Sequence, residues 1–141
     1  MSDRVREAMV AEPRTFDASA SARAAGEALA RPEVRAVLVC DDDGRLVGVV
    51  TRKTLVRSVV AAGLDPGSTR LDAIAEEPYL VLDADMPLED AFRLLEERDL
   101  ERVPVLEEGR LVGVLSRGVV QRRLAEDELP ADGQDDLQQQ V

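Results

Sequence analysis

The sequence contains no histidine, no tryptophan and only one cysteine, Cys40. Without histidine, the usual general base and the commonest metal ligand are missing. One thiol makes neither an internal disulfide nor a thiolate zinc site, and it suits a reducing cytoplasm. Aromatic residues are 2% of the 141, namely Phe16, Tyr79 and Phe92. The core must therefore be aliphatic, and an apolar content of 45% is enough to supply one. No apolar run approaches the roughly 20 residues that cross a bilayer. The first residues show neither the basic nor the apolar region of a secretory signal. The expectation is one compact cytoplasmic domain with no metal centre and no membrane attachment.

Positive charge is also scarce. The net charge is −11, and it is unevenly spread. Residues 1–58 carry ten basic and nine acidic side chains, whereas residues 59–141 carry eight and twenty. Such a chain repels phosphate backbones at long range and does not seek anionic membranes, so nucleic acid is excluded as a partner. The near-neutral first half leaves room for a local anion site.

What is present is a repeat. Arg45-Leu46-Val47-Gly48-Val49-Val50-Thr51-Arg52 returns 65 residues later as Arg110-Leu111-Val112-Gly113-Val114-Leu115-Ser116-Arg117, with six of eight positions identical. One structural unit is built twice, and each copy is too small to enclose a core alone. The boundaries fall at 1–62 for the first repeat, 63–69 for a linker and 70–126 for the second repeat. Residues 127–141 are Asp- and Gln-rich and are expected to form a disordered tail. Gly63 and Pro66-Gly67 punctuate the linker.

Each copy reads alike. A short helical turn comes first, at 4–9 and at 70–74, the second behind a capping box formed by Thr69 and Asp72. Pro13 and Pro78 then open an extended segment, 14–16 or 79–82. A helix follows at 21–30, and its counterpart starts with Pro87 as the first helical residue. Leu88, Ala91, Phe92 and Leu95 lie on one face of that second helix. Two strands come next, 35–40 with the first octapeptide and 102–106 with the second. Each pair is joined by a glycine-bearing hairpin turn. Gly48 and Gly113 read as sites of close backbone packing rather than a phosphate loop. Thr51 and Ser116 cap a last helix. The fold class is α/β, with Val37, Val39, Val47, Val49, Val103, Val105, Val112 and Val114 expected on strands.

A Pro-led strand entry, a βαββα order and hairpins ending Gly48-Val49-Val50-Thr51 and Gly113-Val114-Leu115-Ser116 together resemble the CBS domain. The second copy adds an Arg102-Val103-Pro104-Val105 strand of the family type. The match covers about residues 5–124, as the tandem pair called a Bateman module. The resemblance implies two pseudo-symmetric βαββα repeats packed through their sheets, regulatory and without catalysis. It implies homodimerisation and AMP, ADP, ATP or S-adenosylmethionine as a regulatory ligand between the repeats. No cofactor is required. Carried onto this chain, the ligand-binding candidates are Thr15, Phe16, Val37, Leu38, Thr51, Arg52 and Thr54 in the first repeat. In the second they are Leu80, Val81, Val103, Pro104, Ser116 and Arg117.

The sequence departs from the family at one functional position. The family's ribose-binding Asp stands three residues after the capping hydroxyl, where this chain has Thr54 and Val119. Losing a charged hydrogen-bond partner weakens binding by roughly ten- to a hundredfold. Thr54 keeps a weak polar group and Val119 does not, so the first repeat is the better candidate. Arg52 and Arg117 directly follow the caps and suit an anion clamp, with Lys53 and Arg57 adding charge in the first repeat. Recognition should therefore lean on phosphate.

Other constellations are bland. Asp41-Asp42-Asp43 reads as a solvated hairpin, because calcium-loop spacing is absent. Thr51 and Ser116 have no base beside them for nucleophilic chemistry. The expected function is a stand-alone, non-catalytic sensor that signals to a separate partner protein. The rival is a ligand-free dimerisation scaffold.

Overall fold

A computed structural model describes residues 3–128. The expected tail lies outside them, apart from Asp127 and Glu128, which end the last helix. The first repeat runs α1 (Val5–Ala8), β1 (Val10–Ala11), β2 (Thr15–Asp17), α2 (Ala22–Leu29), β3 (Val37–Cys40), β4 (Leu46–Val50) and α3 (Arg52–Leu55). α3 continues as a π-helical segment, Val56–Val60. The second repeat runs α4 (Leu71–Ile74), β5 (Leu82–Asp83), α5 (Leu88–Glu97), β6 (Arg102–Glu107), β7 (Arg110–Ser116) and α6 (Arg117–Glu128). All eight expected valines fall on β3, β4, β6 and β7.

Local chemistry sets these elements. α2 starts where Ser21 Oγ accepts from Ala24 N at 3.1 Å, and it buries Ala22, Ala25 and Leu29 at helical spacing. α5 buries Leu88, Ala91 and Leu95 in the same manner. Each hairpin turn takes a glycine at positive φ, Gly44 at 80° and Gly109 at 83°. Glu108, at φ 52°, makes the second turn of the two-residue primed type.

Three local expectations change. Thr69 does not cap α4; its hydroxyl donates to Asp65 O at 2.8 Å, and Arg70 takes the cap position without a side-chain capping bond. Pro87 sits just outside α5 in extended conformation, φ −60° and ψ 138°, rather than at the first helical position. The strand expected at 79–82 begins only at Leu82, which pairs with Val105, and the Tyr79 carbonyl instead accepts from Arg98 Nη1 at 3.2 Å.

The two repeats exchange their opening segments. β2, β3 and β4 form one sheet, while β1 joins β7, β6 and β5 in the other, so the first repeat's opening strand extends the second repeat's sheet. In return Glu76 bridges β4, with Val49 N donating to Glu76 O at 2.8 Å and Glu76 N to Val49 O at 2.9 Å. The cores follow the same exchange. Val5 and Ala8 of α1 pack with Leu82, Leu88, Leu95, Val105 and Leu115. Leu71 and Ile74 of α4 pack with Leu29, Val37, Val39, Val50 and Val59. Neither core closes without the other repeat.

Gly48 is where the exchange is tightest, since a Cβ there would stand 2.7 Å from Glu76 O and 2.9 Å from Ala75 Cβ. Gly113 meets Met9 and Val10 O in the same way. The repeated glycine thus admits the other repeat's backbone onto the sheet. Arg45 and Arg110, equivalent in the repeat, bridge one another and mark the pseudo-twofold axis.

Candidate functional site

Strand register assembles the first repeat's site. Thr15 pairs with Leu38, Leu38 with Val49, and Val49 with Glu76. Residues directly opposite share a face, so these four form one row across the sheet. The second repeat gives the equivalent row of Pro104, Val114 and Val10. The first row carries two polar groups and the second none. Of the sequence-derived candidates, Thr15, Leu38 and Pro104 therefore lie on these rows, while Val81 is exposed just before β5. Val37 and Val103 lie in the cores, 5% and 2% exposed, and Phe16 and Leu80 pack partly against those cores.

Thr51 caps α3 beside the first row. Thr51 Oγ1 accepts from Thr54 N at 3.3 Å, and Thr54 Oγ1 accepts from Thr51 N at 3.0 Å. The Thr54 hydroxyl also donates to Glu76 Oε2 at 2.5 Å, while the two threonine hydroxyls lie 3.1 Å apart. Each hydroxyl has one proton. Because Thr54 gives its own to Glu76, Thr51 must donate to Thr54. The two protons form a relay that ends on a carboxylate. Thr54 is 1% exposed, yet its hydrogen bonding is complete.

The arginines differ in their partners. Arg52 Nη2 donates to Arg31 O and Val34 O, both at 2.7 Å. Carbonyls fix that guanidinium without cancelling its charge. Arg117 meets Asp99 at 3.3 Å and also pairs with Glu101. The Glu101 hydrogen bond raises the Arg117 pKa and holds the group charged. Two carboxylates thus offset Arg117, while no carboxylate pairs with Arg52 among the described residues. Ser116 Oγ caps α6 by accepting from Val119 N at 3.3 Å.

An open cleft of about 520 Å³, which meets the first row at Thr15, lies between Pro13, Phe16 and the 41–44 turn, with Leu111 of the second repeat on its wall. Its rim carries Glu12, Asp17, Asp41 and Asp42, which repel anions. Cys40 lines it as a buried thiol, pushed above its ordinary pKa by burial and by Asp41. Among the described residues no group of side chains is arranged to hold a metal ion, and no helix is long and apolar enough to cross a membrane. Val56, Val60 and Leu64 leave an apolar stripe exposed along the end of the first repeat.

Sequence reasoning did not pick out Glu76. It lies 22 residues from Thr54, and nothing local marks it. Only the exchange of opening segments brings it to α3.

The sequence profile of the CBS domain matches this chain twice, over residues 5–61 and 71–126. Hypoxic response protein 1 of Mycobacterium tuberculosis is 33% identical over 103 residues, which is 73% of this chain and 72% of that protein. The crystal structure of hypoxic response protein I with two coordinated zinc ions superposes with a TM-score of 0.73 at 30% identity, over 86% of this chain and 98% of the other. CBSX2 in complex with AMP superposes with a TM-score of 0.70 at 28% identity, over 89% and 98% of the two chains.

Proposed function

The chain belongs to the CBS domain family as a tandem pair, and on that premise we propose that it is a regulatory sensor whose first repeat binds an adenine nucleotide. The row of Thr15, Leu38, Val49 and Glu76 beside Thr51 and Arg52 carries this reading. It brings an apolar surface for a base and a cation for phosphate, both from the first repeat, together with a carboxylate supplied by the second. The AMP complex of CBSX2 supports the ligand class. The second repeat is the weaker site, because Val119 is apolar and Arg117 is already paired. The zinc of the other structural relative is not carried over, since no group of side chains among the described residues is arranged to hold a metal ion.

Binding between exchanged segments would favour one arrangement of the repeats, which a separate partner protein reads. The module works in the cytoplasm as a homodimer joined through Val56, Val60 and Leu64, whose exposure suits an apolar contact.

One observation favours a ligand-free scaffold instead: the Thr51–Thr54–Glu76 relay is satisfied without any ligand. A thermal-shift series with AMP, ADP, ATP and S-adenosylmethionine separates the two. A ligand at 100 times its dissociation constant stabilises by about 2.7 kcal/mol. A clear rise in melting temperature with at least one of the four is expected. Four flat titrations would leave the scaffold reading standing.

A further inference from the structure

We infer that Glu76, contributed by the second repeat, is the acceptor for the ligand's ribose diol in the first repeat's site. This rests on the nucleotide reading above and adds the group that selects ribose over deoxyribose. Position 54 holds a threonine, which is too short and too well buried to reach a ligand, being 1% exposed. Its hydroxyl proton is directed at Glu76 Oε2. The hydrogen bond holds the carboxylate at one orientation, and the main-chain pairing of Glu76 with Val49 fixes its backbone from the other side. Oε1 has no partner among the described residues, and Glu76 as a residue is exposed.

An ionised carboxylate only accepts hydrogen bonds, with about four lone-pair sites on its two oxygens. With one site taken by Thr54, it can still accept two more. A vicinal diol supplies two donors at that separation, whereas a phosphate supplies none and is repelled. The relay from Thr51 through Thr54 makes the same choice, because both hydroxyl protons already point toward Glu76. Phosphate is left to Arg52, whose charge no carboxylate offsets. Glu76 is placed in register with Leu38 and Val49, so the diol acceptor and the apolar row share one face.

Titration calorimetry of ADP and 2′-deoxy-ADP into the full chain tests this, first with the wild type and then with Glu76→Gln. The main chain of Glu76 makes the bridge, and the Gln carbonyl can still accept from Thr54, so the variant should fold; its melting curve checks this. The wild type should prefer ADP by about tenfold, the scale of one charged hydrogen bond. Glu76→Gln should bind ADP as weakly as 2′-deoxy-ADP and leave the deoxy affinity almost unchanged. Equal wild-type affinity for the two ligands would overturn the assignment without needing any variant. Undiminished discrimination in Glu76→Gln, or tighter ADP binding, would overturn it as well, the latter showing a carboxylate that blocks the site. Absence of ADP binding to the wild type would overturn the nucleotide reading itself, a distinguishable result.

Discussion

Thr54 donates its hydroxyl proton across the boundary between the repeats to Glu76, at 2.5 Å. Both groups are polar, one is buried, and they come from different copies of the repeat. Specificity and cohesion therefore meet at one hydrogen bond. Thr54→Val keeps the shape and removes the hydroxyl, leaving the part-buried Thr51 N and the Thr51 hydroxyl short of a partner. Such unsatisfied groups cost about 1–3 kcal/mol. Urea unfolding should show a loss of that size with unchanged slope. A loss below a few tenths would mean the relay is not held in solution.

The exchange of opening segments predicts where a core defect is felt. Leu71 belongs to the second repeat by sequence, yet it is fully buried among Leu29, Val39 and Val50 of the first. Leu71→Ala should cost about 2–5 kcal/mol. Hydrogen exchange should quicken first in β3 and β4 rather than in β6 and β7. Faster exchange confined to β6 and β7 would argue against the exchanged arrangement.

Cys40 should be a sluggish thiol. Burial, aided by the charge of Asp41, raises its pKa, and the thiolate is the reactive form. At pH 8 the thiolate fraction is thus smaller than in a free cysteine. Alkylation by iodoacetamide should be slow at pH 8 and accelerate only above the ordinary thiol range. A rate at pH 8 equal to that of a cysteine peptide would contradict the burial.

The apolar stripe of Val56, Val60 and Leu64 should hold two copies together. Val60 is 73% exposed in the single chain, so Val60→Glu removes no internal packing. Light scattering of the wild type should give twice the chain mass of 15.4 kDa at micromolar concentration. Val60→Glu should give the single-chain mass with an unchanged melting curve. A wild type that runs as a single chain would exclude this interface.

The parts of the fold that were readable came from local signals. The duplicated octapeptide marked β4 and β7, the valines of 35–40 and 102–106 marked β3 and β6, and glycine marked both hairpin turns. Gly48 and Gly113 also announced a close backbone approach, although not which backbone approaches. The exchange was not readable. α1 and α4 have four residues each, too few to show which core they enter. Glu76 escaped notice for the same reason, because its partner is set by long-range pairing with Val49. The different environments of Arg52 and Arg117 likewise depend on the loops before β3 and β6, whose carbonyls in one repeat and carboxylates in the other no motif distinguishes.

Titration calorimetry of the wild type with ADP and with adenosine decides whether the first repeat holds a nucleotide through its phosphate. One site per chain is expected, with ADP bound clearly more tightly than adenosine and an ADP affinity that falls with added salt, because Arg52 makes an exposed charge contact. Arg52→Ala should lose most of the ADP binding, and Arg117→Ala should lose little. Adenosine bound as tightly as ADP, equal losses in the two variants, or no heat with either ligand would contradict phosphate-led binding in the first repeat.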